Sequence, residues 1–266
     1  MKNMTSINKL TIALLLLLPG CADKVDKELE QETNPYVLFE KGSNYAAQHK
    51  YKDAVRYFEQ IERDHPASDL APLAQIRRAY SLYETNKFDD AIYVIDEFTQ
   101  QYPVHPNVDY MLYLKSLCYY DQIVDVGRDQ KLTSSAIESF DELLARFSDS
   151  IYVKDATLKR EFAINSLAGK EMEVAHYYLE TSDVMAAINR YKNVIAYYDV
   201  SIFTPEALFR LTECYANIGV FDEAKKYAAV LGANYPKSKW YAKAYAALQK
   251  DGALPEEKRD NKKKAR

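Results

Sequence analysis

Glycine is scarce in this chain, with 7 in 266 residues, less than half the ordinary usage of about 7%. That excludes collagen-like and Gly-rich linker classes. It also argues against a fold built on many tight β-turns, which need residues at positive φ. Charge of one sign is lacking as well: the net charge is −4, so nothing points to a nucleic-acid partner. Catalytic signatures are missing. There is no Gly-x-Ser-x-Gly, no Gly-x-x-x-x-Gly-Lys and no Gly-x-Gly-x-x-Gly. The four histidines, His49, His65, His105 and His176, form no metal-binding spacing, and surface or capping roles are expected for them. No cofactor and no metal site are expected, and the chain reads as a non-enzyme.

What is present is Ala, Leu, Glu, Lys and an excess of Tyr, 23 in all, a composition that favours an all-helical protein. The first twenty residues read as a signal peptide. Lys2 and Lys9 precede a short apolar run from Leu10 to Leu18, too short for the ~20 residues that span a bilayer. The run ends in Leu18-Pro19-Gly20-Cys21, which resembles a bacterial lipobox with Pro19 as its one unusual residue. On that resemblance Cys21 is the lipid-attachment site, carrying several acyl chains because one alone binds membranes only marginally. An ordinary secretory peptide with an incidental cysteine is the plainer alternative. Ala22 rather than Asp follows Cys21, which by resemblance sends the lipoprotein to the outer membrane, facing the periplasm. Residues 21–34 are polar, charged and aperiodic, and read as a flexible tether.

The body of the chain repeats. Ala54, Ala91, Ala136, Ala187 and Ala224 are each followed twelve residues later by a terminator, Pro66, Pro103, Ser148, Asp199 and Pro236. Twelve residues is a little over three helical turns. At +4 stand Phe58, Ile95, Phe140, Tyr191 and Ala228, and at +7 Ile61, Phe98, Leu143, Val194 and Leu231. Each second helix therefore carries an apolar stripe at i, i+4, i+7. Twelve residues before the Ala lie the small residues Gly42, Ala79, Ala175 and Thr212, and nine before it Tyr45, Leu82, Tyr178 and Tyr215. The third repeat falls into register, through Ser116 and Tyr119, only with eight extra residues. This order resembles the tetratricopeptide repeat, a helix-turn-helix unit. It implies an all-α, right-handed α-solenoid of five helix pairs with a C-terminal capping helix.

The Ala-to-Ala spacings of 37, 45, 51 and 37 place two insertions. One lies around Gly127-Arg128-Asp129-Gln130-Lys131 and is expected to lengthen an inter-helix loop. The other, after Ser150, is expected to lengthen the next helix into a rod of roughly 28 residues, about 42 Å. The expected organisation is a signal peptide (1–20), the tether (21–34), repeats one to three (35–150), the long helix with repeats four and five and the cap (151–250), and a disordered basic tail (251–266). Cys118 and Cys214 fall on apolar-side positions two repeats apart and are expected to be buried free thiols. Of the tyrosines, Tyr45, Tyr119, Tyr178 and Tyr215 share one core position. Tyr110, Tyr113 and Tyr120 fit that register poorly. They suit either an amphipathic rim or a surface that binds extended peptide.

The lipobox, the tether and the repeats together resemble the BamD family of outer-membrane β-barrel assembly lipoproteins. Local runs carry the likeness: Tyr119-Tyr120-Asp121-Gln122-Ile123, Leu167-Ala168-Gly169-Lys170-Glu171-Met172, Ala186-Ala187-Ile188-Asn189-Arg190 and Asn234-Tyr235-Pro236-Lys237-Ser238-Lys239-Trp240-Tyr241. The resemblance implies an adaptor that helps fold and insert barrel proteins into the outer membrane. Its implied partners are unfolded β-barrel proteins, the periplasmic domains of the barrel subunit BamA and other assembly lipoproteins. It places Tyr45, Arg77, Arg78, Tyr110 and Tyr113 on the substrate side and Arg190 on the BamA-facing side. The alternative is a periplasmic tetratricopeptide lipoprotein that coordinates cell-wall or division enzymes.

Overall fold

The computed structural model describes Leu29, residues 33–123 and residues 130–250. The signal peptide, Cys21, the basic tail and most of the insertion around Gly127 lie outside the described residues. The described residues form eleven helices: α1 (Pro35–Ala47), α2 (Tyr51–Asp64), α3 (Ala71–Glu84), α4 (Phe88–Gln101), α5 (Val108–Tyr120), α6 (Gln130–Arg146), α7 (Val153–Glu180), α8 (Val184–Tyr197), α9 (Thr204–Asn217), α10 (Phe221–Asn234) and α11 (Lys239–Lys250). They fall into two compact units, one ending at Lys87 and one beginning at Phe88. Within each unit every helix packs on the next one along the chain, the serial stacking of an α-solenoid. Among the described residues no helix is long and apolar enough to cross a membrane.

The repeat positions are the core. All five alanines are fully buried, as are Phe58, Ile95, Phe140 and Tyr191 at +4 and Ile61, Phe98, Leu143, Val194 and Leu231 at +7. Ala79, Ser116, Ala175 and Thr212 are also fully buried, and Gly42 is buried. A Cβ on Gly42 would lie 2.9 Å from Phe58 Cε1, which is why the first crossing needs glycine. Each large apolar side chain removed from water contributes about 1.5–3 kcal/mol.

Two recurrent turns join these helices. The first follows α1, α3, α7 and α9, where His49, Asn86, Ser182 and Gly219 take φ of 58°, 57°, 64° and 81°. The next N–H bonds back to Tyr45, Leu82, Tyr178 and Tyr215, a Schellman closure. The residues nine before each Ala are thus the carbonyl acceptors of these caps. The second turn follows every second helix. The amides of His65, Tyr102, Phe147, Tyr198 and Tyr235 bond to the +7 carbonyls, and Ser68, His105, Ser150, Ser201 and Ser238 close the next loop. Ser148 and Asp199 therefore accommodate the same turn as the three prolines. His105 Nδ1 accepts the Asn107 N–H at 3.1 Å, a bond within the turn that leads into α5.

The long rod is α7, 28 residues. It packs on both α6 and α8, with Arg160 paired to Asp141 of α6 and Ala168, Met172 and Ala175 in one core with Ala187 and Tyr191 of α8. The insertion before it in the chain is absorbed partly by α6. That helix has 17 residues where the other second helices have 14, so Gln130 and Lys131 are helical rather than loop. α11 caps the array by laying Ala244 and Leu248 on α9 and α10. Leu29, in the tether segment, packs against the first core, and its carbonyl accepts Gln60 Nε2 at 3.1 Å. Cys118 and Cys214 are buried and free, and burial pushes their thiols up to about 12 and about 11.

Candidate functional site

Tyr110 and Tyr113 stand on successive turns of α5 and meet a third tyrosine, Tyr152, at the start of α7. The Tyr113 and Tyr152 rings stack with centroids 4.7 Å apart and an interplanar angle of 13°, and Tyr110 lies 5.7 Å from Tyr152, tilted. All three are half-buried. The Tyr113 hydroxyl donates to Asp155 Oδ2 at 2.5 Å, and Ser150 Oγ donates to Asp109 Oδ2 at 2.7 Å, so α5 and the entry to α7 are pinned twice. Burial and the bond to Asp155 push the Tyr113 hydroxyl well above its usual range. Partial burial pushes Asp155 up, but hydrogen bonds from Lys159 and Tyr113 outweigh it and hold the carboxyl below its usual range. Ile151, next to Tyr152 in the chain, and Leu158 and Phe162 on α7 are exposed. Tyr120 sits between Phe140 and Phe162, with ring centroids 6.1 and 6.0 Å away. The result is an aromatic platform with fixed rings and apolar neighbours, suited to an extended apolar peptide.

Tyr152 was not singled out by the sequence. Its signal was its place four residues after the terminator, where Phe203 and Trp240 stand in the later repeats.

The other candidates on the substrate side belong to the first unit. Tyr45 stacks on Tyr57 at 5.3 Å and packs against the first core, so one of its faces is spent on the fold. Arg78 pairs with Glu62 at 2.9 Å and Glu59 at 3.7 Å. It is a strut between α2 and α3. Arg77 is exposed and has no ion pair among the described residues, so of the two arginines it is the one presented to solvent.

Arg190, on α8, bonds Glu171 Oε1 at 3.2 Å, and Asn193 Nδ2 donates to the other carboxylate oxygen at 3.0 Å. Glu171 is buried, and a buried carboxylate needs such partners. About 40% of the Arg190 side chain remains exposed, so the guanidinium both neutralises Glu171 and offers a cationic edge to solvent.

Residues 31–231 match the family YfiO, described as an outer membrane lipoprotein. Over 250 residues the chain is 39% identical to an outer membrane protein assembly factor BamD from Caulobacter vibrioides, covering 92% of this chain and 82% of the relative. A protein of the same name from Rickettsia prowazekii is 38% identical, covering 91% and 98%, and one from Neisseria meningitidis is 32% identical, covering 89% and 94%. Among solved structures, a TPR repeats protein from Bacteroides fragilis aligns over 83% of this chain and 88% of that one, at 15% identity and a TM-score of 0.43.

Proposed function

The chain belongs to the YfiO family of outer membrane lipoproteins, and from that premise we propose that it serves outer-membrane protein assembly as a non-enzymatic adaptor. It holds unfolded β-barrel substrate on one surface and the periplasmic domains of BamA on another, tethered to the outer membrane by lipid on Cys21. The observation that carries this reading is the likeness to BamD assembly factors along nearly the whole chain. The architecture agrees with it. Serial helix pairs offer long, rigid surfaces but build no enclosed catalytic pocket by themselves, and fixed aromatic platforms bind peptide at low entropic cost.

The Tyr110–Tyr113–Tyr152 platform is the substrate surface in this reading, with Arg77 as a second, cationic contact. Arg190 faces BamA. The test is crosslinking of peptides bearing the C-terminal strand of an outer-membrane barrel protein. Replacing Tyr110 and Tyr113 by Ala removes most of the ring area and is expected to cut crosslinking at least about tenfold, since each aromatic contact of this kind is worth ~0.5–1.5 kcal/mol beyond its buried area. Unchanged crosslinking in the folded double variant refutes the assignment of this surface.

A further inference from the structure

Leu29 belongs to the segment read as a tether, yet it is seated on the first unit. It packs against the core of Leu38, Tyr57, Phe58 and Ile61, as do the half-buried Phe39 and Tyr45. Its carbonyl accepts Gln60 Nε2 at 3.1 Å, and Gln60 is only 7% exposed, so the donor is held in place by the fold. Within residues 22–34, Val25 and Leu29 are the two large apolar residues, among five carboxylates and two lysines.

Nothing in this contact is particular to a tether. The first unit receives one branched aliphatic side chain and one main-chain carbonyl, which any apolar stretch of polypeptide carries. The bond from Gln60 goes to backbone, so it gives affinity without selecting a sequence. The contact is also light. One half-buried side chain and one hydrogen bond oppose the entropy of ordering a charged, aperiodic segment. Such a balance keeps the docked and released states close in free energy, so a competitor can shift the population. Release has a geometric consequence. Eight residues separate Cys21 from Leu29, and fourteen separate it from Pro35, where α1 begins. With lipid on Cys21, the reach therefore grows from about 26–29 Å to about 46–50 Å.

From this geometry we propose that the tether is an autoinhibitory strap. Leu29 fills in cis a seat on the first unit that otherwise takes one aliphatic side chain of an unfolded polypeptide, with Gln60 donating to the carbonyl of either occupant. Incoming polypeptide displaces the strap, and displacement lengthens the leash to the membrane. The two events are linked: the docked strap weakens polypeptide binding by the same factor by which bound polypeptide loosens the strap. The proposal rests on the reading of this chain as a receiver of unfolded barrel protein and adds a regulation to it. It makes no use of Tyr113, Tyr152 or Arg190.

The acylated, full-length chain is held in phosphatidylcholine nanodiscs and titrated with two fluorescein-labelled probes: a peptide of alternating Leu and Ser, and a peptide with the sequence of residues 22–33. Leu29→Ser empties the seat without altering charge, and circular dichroism checks that the variant is folded. It is expected to bind the Leu/Ser peptide about fivefold more tightly than the unaltered chain, because the competing strap is gone. The 22–33 peptide is expected to bind the Leu29→Ser chain, to compete there with the Leu/Ser peptide, and to bind the unaltered chain about fivefold more weakly. The same peptide carrying Leu29→Ser is expected not to bind. Equal binding of the Leu/Ser peptide by both chains overturns the strap and leaves the adaptor reading standing. Equal binding of the 22–33 peptide by both chains, or no competition between the probes, does the same. If the 22–33 peptide prefers the Leu29→Ser chain but neither chain binds the Leu/Ser peptide, the seat receives no foreign polypeptide, and the proposal falls together with the reading beneath it.

Discussion

Among the described residues four inter-helix turns place a residue in the left-handed region, and glycine fills one of these four. Asn86 and His49 are of types enriched in this conformation, whereas Ser182 is an ordinary residue in it, at a cost of roughly 1–2 kcal/mol. Ser182→Gly is therefore expected to raise stability by about 0.5–1 kcal/mol, measured as the shift in the urea midpoint. Gly219→Ala, at φ 81° with open space around it, is expected to lower stability by a similar amount through backbone strain alone. A second residue-scale prediction concerns Asp155. Its carboxyl is lower in the folded chain than in the unfolded one. Its contribution to stability is therefore present above the unfolded value near 3.9 and is lost as pH falls through the folded value. Acid titration of thermal stability is expected to show a loss below about pH 4 that is smaller in Asp155→Asn.

At the scale of elements, the α7–α8 contact turns on one buried carboxylate. Removing Arg190 leaves Glu171 with Asn193 as its main partner, and stranding a buried charge costs about 1–3 kcal/mol. Arg190→Gln is expected to lower the unfolding midpoint, and adding Glu171→Gln is expected to recover most of the loss. The double variant separates the structural duty of Arg190 from any contact with a partner. The elements themselves were legible in the sequence because burial at a helix crossing constrains residue type tightly. An Ala with apolar residues at +4 and +7 leaves few other readings, and the 28-residue α7 followed from a spacing that lacked a breaker. Turn chemistry was less legible. Serine and histidine at positive φ have no composition signal, so the caps after α1 and α7 stayed hidden, and Gln130 joined a helix rather than a loop. The platform was half visible. Tyr110 and Tyr113 stood out as misfits to the core register, but Tyr152 joins them only through packing of α5 on α7. Arg78 illustrates the reverse case, since nothing in the local sequence shows that Glu62 and Glu59, a helix earlier, already occupy it.

At the scale of the whole molecule, the proposed adaptor combines serial helix pairs with separate surfaces for separate partners and a lipid anchor on Cys21. Leu29 bears on the anchor. With Leu29 seated on the first core, the eight residues from Cys21 onward can reach at most about 26–29 Å, which keeps the first unit near the membrane surface if the lipid is on Cys21. The proposed function requires this chain to join BamA in the assembly machinery, and isolating the acylated, full-length chain from detergent-solubilised outer membrane and probing for BamA decides whether it does. BamA is expected to co-purify in near-equal amount with the unaltered chain, and much less with the folded Arg190→Gln, Glu171→Gln variant. Recovery of the chain from the outer membrane without BamA would contradict it.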